Sequence, residues 1–147
     1  MIDHVWSILC SNTVTDKESN NISLHNVVES LEIFAAPQES QLLPIHLEFV
    51  TLWIRRDPEV SVKGNSRVSL VSPSGKTVTS NELAIDLSKA ERTRNRFIYD
   101  GLPMEESGRH HFVVELQVDG DWQQVASIPL AVKFSQSDTD EASTLRK

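Results

Sequence analysis

A two-residue alternation of apolar and polar side chains runs through Phe112, Val114, Leu116 and Val118, with Glu115, Gln117 and Asp119 turned the other way. Successive side chains of a pleated strand point to opposite faces, so this pattern sets one face against a core and the other in water. Asp119-Gly120 follows, the dipeptide that best tolerates positive φ in a tight hairpin turn. The chain then resumes with Trp122, Gln124, Ala126, Ile128, Leu130, Val132 and Phe134 in one phase. The two segments predict an antiparallel hairpin. Pro129 has no N–H for a ladder, which predicts an open edge or a bulge in the second strand.

The same period recurs along most of the chain. Ser72-Pro73-Ser74-Gly75 is a turn signal between Arg67–Leu70 and Lys76–Thr79, and predicts another hairpin. Ile45, Leu47, Phe49, Thr51 and Trp53 form one face of a central strand. Its other face begins polar with His46 and Glu48 and turns apolar at Val50, Leu52 and Ile54. Near the N-terminus, Ile2, Trp6 and Ile8 fall on one face and Val5 and Leu9 on the other. Ile22 to Phe34 reads as one long strand whose phase changes near Asn26, Val27 and Val28, the mark of a bulge. Glu82 to Ala90 fits a strand through Leu83, Ile85 and Leu87, or a short helix through Leu83, Leu87 and Ala90; the strand is favoured. Arg92 to Tyr99 reads extended. Asn12–Asn21 and Ala36–Pro44 are polar connections.

About seven to nine short strands with turn signals between them predict an all-β, immunoglobulin-like antiparallel sandwich of two sheets. At 147 residues the chain fits one domain. Residues 1–134 are expected to form it and residues 135–147, rich in Ser, Thr, Asp and Glu, a flexible tail.

The C-terminal half also carries a resemblance. Phe97-Ile98-Tyr99-Asp100-Gly101-Leu102-Pro103 leads into Glu106-Ser107-Gly108-Arg109-His110-His111-Phe112, then Leu116-Gln117-Val118-Asp119-Gly120 and Ile128-Pro129-Leu130. Over residues 2–134 the chain resembles a family of short bacterial β-sandwich proteins catalogued as a domain of unknown function. The resemblance implies the fold and brings no catalytic residue with it.

Charge and cysteine content narrow the function classes. A net charge of −7 disfavours nucleic acid and anionic membranes, where Lys and Arg supply the affinity. Cys10 is the only cysteine, so no internal disulfide forms. The first residues lack the basic start and continuous apolar run of a signal peptide, and a cytoplasmic location is expected. No apolar stretch approaches the roughly 20 residues of a membrane helix.

Chemistry finds little footing in the sequence. No nucleophile elbow is present, and Ser74-Gly75-Lys76 lacks the leading glycine and the following helix of a phosphate loop. Cys10, beside Leu9, reads as a buried thiol. His110 and His111 point to opposite strand faces, whereas His46 and Glu48 share one; two ligands are too few for a metal site. No cofactor motif appears, and neither a metal site nor an enzyme is expected.

Two features stand apart. Arg92, Arg94 and Arg96 at spacing two line one face of an extended segment. They form either a solvated edge that resists aggregation or a site for carboxylate or phosphate. Val50, Leu52 and Ile54 place apolar residues on the outer face of a sheet, which needs a cover. A loop of the same chain or a second protein surface meets that need. The expectation is a non-catalytic protein-interaction module, working through an apolar sheet face or an open strand edge, with a protein partner or as a homodimer. Val50, Leu52, Trp53 and Ile54 are the expected contact residues. The alternative is a sandwich that binds an anionic small molecule or a sugar through Arg92, Arg94 and Arg96.

Overall fold

In the computed structural model, which describes residues 1–34 and 42–135, nine strands and no helix are found among the described residues. In chain order they are β1 (Ile2–Thr15), β2 (Ile22–Val27), β3 (Ser30–Ile33), β4 (Leu42–Arg55), β5 (Val62–Val71), β6 (Thr77–Leu87), β7 (Arg92–Pro103), β8 (Gly108–Gln117) and β9 (Trp122–Phe134). They form a four-stranded sheet ordered β2-β1-β4-β7 and a five-stranded sheet ordered β3-β9-β8-β5-β6.

The alternating residues of the two sheets meet between them. Leu47, Phe49 and Trp53 of β4 and Phe97 and Tyr99 of β7 face Val68 and Leu70 of β5 and Phe112, Val114 and Leu116 of β8. Phe49 stacks on Phe112 with ring centroids 5.0 Å apart, and Tyr99 tilts against Phe112 at 5.8 Å. One core therefore spans both sheets, as a sandwich requires.

The turns follow their residues. Asp119 (φ 59°) and Gly120 (φ 116°) both take positive φ between β8 and β9, which lets the hairpin close with the twist of its strands. Between β5 and β6, Gly75 (φ 89°) completes the turn, and Ser72 N–H donates to Lys76 C=O at 2.8 Å. The segment 82–87 is strand, the second half of β6.

Two expectations are corrected. Ile22–Phe34 is two strands rather than one bulged strand. Asn26 (φ 56°) turns the chain out of β2, and Val28 and Glu29 carry it to the other sheet. Val28 N–H donates to Leu9 C=O on one side and Glu29 C=O accepts from Ala131 N–H on the other. β3 then runs parallel to β9, the one parallel pair among the described residues. At the N-terminus a register shift between His4 and Trp6 reverses the phase of β1. Ile2 and Leu9 thus share the core face (3% and 2% exposed), which strict alternation forbids.

Of the expected connection Ala36–Pro44, residues 42–44 belong to β4 and 36–41 lie outside the described residues. The expected tail lies outside them from residue 136 onward.

Candidate functional site

The arginine ladder and the apolar stripe turn out to be neighbours. β7 pairs with β4 so that Arg92 stands opposite Ile54, Arg94 opposite Leu52 and Arg96 opposite Val50. Directly paired residues share a face of the sheet, so all six lie on the outside of the four-stranded sheet. On the other flank of β4, β1 sets Trp6 opposite Leu52 and Ile8 opposite Val50.

A cover comes from the same chain. β1 pairs with β4 only as far as Cys10 and thereafter with β2. The end of the β1–β2 hairpin lies over the outer face. Thr13 Oγ1 donates to Glu48 Oε1 at 2.9 Å, Arg96 donates to Thr13 Oγ1 at 3.2 Å, and Arg94 donates to the Asn20 carbonyl at 2.8 Å. Thr13 pairs with Leu24 in the hairpin, so Leu24 faces the sheet with it; both are half-buried. Beneath this cover Val50 and Cys10 are wholly buried, and Leu52 and Ile54 are half-buried.

The expected contact residues are therefore redistributed. Trp53 is in phase with Phe49 and Thr51 and lies in the core at 0% exposure, its indole N–H donating to Asn95 Oδ1 at 3.1 Å. It faces away from any outer partner. Val50 is sealed by its own hairpin. Leu52 and Ile54 alone keep partial access. Arg94 and Arg96 hold the cover in place, while Arg92 is exposed.

His46 and Glu48 do meet, as their spacing indicates, with Nε2 to Oε2 at 3.0 Å. Asp100 of β7, paired with His46 in register, joins them through Nδ1 at 2.5 Å. Asp100 was not legible as a member, because only the β4–β7 register brings it there. Hydrogen bonds to Glu48 and to Asp100 raise the His46 pKa above its ordinary 6.5. Burial pushes the Glu48 carboxyl up, but the hydrogen bonds from His46 and Thr13 and the charge of Arg96 outweigh it, and its pKa falls.

The two carboxylates contact different nitrogens of the ring, so they do not converge on a common point. Among the described residues no group of three or more His, Cys, Asp or Glu side chains is placed to hold a metal ion. Burial, and then the charge of Glu48, raise the Cys10 thiol pKa, which leaves it a poor nucleophile. His110 is buried with its Nε2 unpartnered, and His111 points to the other face of β8.

The two narrow sides of the sandwich differ. On the β6–β7 side, buried Asn95 bridges the sheets: its Nδ2 donates to Ala84 C=O at 3.0 Å, and Ser66 Oγ donates to its Oδ1 at 2.5 Å. On the other side, among the described residues, Ile2–Ile8 of β1 pairs only with β4, and Trp122–Leu130 of β9 pairs only with β8. Pro129 sits on that second free edge. Between the edges lies a cleft of about 520 Å³ lined by Ile8, Val27, Val28, Ile128, Pro129 and Ala131, with Glu29 and Arg109 at its margin. Val5, at the register shift, and Val27 are 45% and 52% exposed. Sequence alternation gave no hint of this cleft, which depends on where Val28 and Glu29 cross.

No family model matches the chain, and neither does any curated protein. Among solved structures it is similar to a glycosyl hydrolase family 2 member from Bacteroides cellulosilyticus DSM 14838, with a TM-score of 0.51 and 13% sequence identity over 72% of this chain. The fold is immunoglobulin-like. The matched part is 16% of that hydrolase, so the likeness is to one piece of a much larger protein. No helix among the described residues is long and apolar enough to cross a membrane.

Proposed function

We propose that this sandwich is a non-catalytic protein-interaction module that takes an extended segment of a partner protein along the free edge of β1. The observation that carries the proposal is the edge of Ile2–Ile8, which no described strand pairs, beside an apolar cleft. A strand added there satisfies the exposed backbone N–H and C=O groups, and alternate side chains of that strand enter the cleft past Ile8 and Ile128. The sheet-face mode is disfavoured, because Val50 lies under the hairpin and Trp53 in the core.

A second copy of the chain is one such partner, since two β1 edges can pair antiparallel about a two-fold axis. The buried free thiol of Cys10 suits the reducing conditions of a cytoplasm. An anionic or sugar ligand on Arg92, Arg94 and Arg96 is less well supported, because two of the three arginines already hold the hairpin.

Affinity capture on the full chain from its native host, followed by amide exchange of the captured complex, tests the proposal. Protection of Asp3–Ile8 is the expected result. Protection confined to another surface, or a chain that captures nothing and stays monomeric by light scattering, counts against it.

A further inference from the structure

His46 stands between two carboxylates, with Nδ1 2.5 Å from Asp100 Oδ1 and Nε2 3.0 Å from Glu48 Oε2. Ionised carboxylates only accept hydrogen bonds, and a neutral imidazole carries one N–H. Both contacts are satisfied together by the imidazolium, which donates from both nitrogens. Glu48 has a side chain only 8% exposed, and a carboxylate so placed needs charged partners to stay ionised. Besides His46, it has Thr13 Oγ1 at 2.9 Å and Arg96 Nε at 3.5 Å. Thr13 belongs to the hairpin that covers Val50 and Cys10.

We propose that His46 is a pH-sensitive clasp: as imidazolium it fixes Glu48 as the anchor for the β1–β2 hairpin, and as neutral imidazole it lets the hairpin loosen. When the ring loses its proton to water, it keeps one donated bond and gives up the other. In either tautomer Glu48 loses its imidazolium as a charged partner, and only Thr13 and the more distant Arg96 remain to hold its charge. A poorly compensated buried carboxylate gains by reaching water, and the element between it and water is the hairpin.

The groups facing the ring from each packed element support the charged form. β4 brings Glu48, β7 brings Asp100 and the opposing Arg96, and β1 brings the Cys10 thiol beside the Glu48 carbonyl. The crossover brings Glu29, which lines a cleft of about 460 Å³ together with His46. His25 of β2 pairs with Asn12 and lies exposed on the far side of the hairpin. Two carboxylates, Glu48 and Asp100, thus hold the ring directly. Hydrogen bonds to Glu48 and to Asp100 accordingly raise its pKa above 6.5.

An NMR pH titration of the full chain, with amide exchange of the hairpin referenced to β8, tests the clasp. The His46 ring is expected to titrate above 6.5, and the Thr13, Asn20 and Leu24 amide shifts to follow the same midpoint. Hairpin exchange relative to β8 should rise several-fold above that midpoint. Asp100→Asn should lower the midpoint, and His46→Gln should show fast hairpin exchange at every pH. A His46 midpoint at or below 6.5, or hairpin exchange that ignores the midpoint, overturns the proposal. The wild-type titration decides it even where a variant fails to fold.

Discussion

Trp53 on β4 donates its indole N–H to Asn95 Oδ1 on β7 at 3.1 Å, and through Asn95 the two sheets are joined along one side of the sandwich. Asn95 is buried, accepts from Trp53 and Ser66, and donates to the Ala84 carbonyl. Replacing it by leucine leaves the Trp53 indole and the Ala84 carbonyl without this partner, while Ser66 keeps the Leu83 carbonyl. Each orphaned buried group costs about 1–3 kcal/mol, not additively, so Asn95→Leu should destabilise the domain by about 3 kcal/mol. Urea unfolding of the full chain measures this. A cost below about 1 kcal/mol would mean that the side is held by something other than Asn95.

The hairpin cover gives the outer stripe an uneven response to substitution. Val50 is wholly buried beneath it, while Ile54 is half-buried two pairs along toward Arg92. Val50→Asp puts an unpaired carboxylate beside Glu48, at a cost of about 3 kcal/mol or more. Ile54→Asp can reach water and faces Arg92, so its cost should stay within about 1 kcal/mol. Equal effects in denaturant unfolding would show that the stripe is uniformly open and that the hairpin does not seal it.

How far the sequence anticipates this architecture depends on the range of the signal. The β8–β9 hairpin was fully legible because alternation and Asp119-Gly120 are local and agree with each other. The sheet exchange at Val28 was not, since a bulge and a crossover both begin with a change of phase. Trp53 reads from the sequence as a contact residue although its phase matches Phe49, because an apolar run on both faces of β4 does not say which face is outer. Arg92, Arg94 and Arg96 read as one face from their spacing, and the register of β7 on β4 agrees. Their purpose depended on Asn20 and Thr13, some seventy to eighty residues distant in sequence, and only the fold brings these together.

His110 should give the domain an acid-sensitive step. Burial holds its pKa below the ordinary 6.5, outweighing the hydrogen bond to the Gly108 carbonyl. Between 6.5 and that depressed value, the unfolded chain takes up a proton that the folded chain refuses. Stability therefore falls as pH drops below 6.5. His46 acts in the opposite sense: its pKa is raised, so its contribution is full below 6.5 and is lost as pH rises through the folded value. That ring is exposed and solvent-screened, so the buried histidine should set the slope. Urea unfolding at pH 7 and pH 5.5 should show the loss in wild type and a smaller one in His110→Leu. An unchanged slope in the variant would assign the acid step to His4, whose pKa burial also lowers, or to carboxylates.

The free edge of β1 predicts that binding and stability separate at Val5. This residue sits at the register shift, 45% exposed, beside an edge that pairs with no described strand. A lysine there keeps its ammonium in water, and its charge opposes the approach of another strand, which is how natural sheets protect such edges. Val5→Lys should leave the unfolding free energy within about 0.5 kcal/mol of wild type, as surface changes usually do. It should also weaken partner capture, or self-association seen by light scattering, at least about tenfold. Capture at wild-type strength by a stably folded variant would move the interaction away from β1, leaving the free edge of β9 as the next place to test.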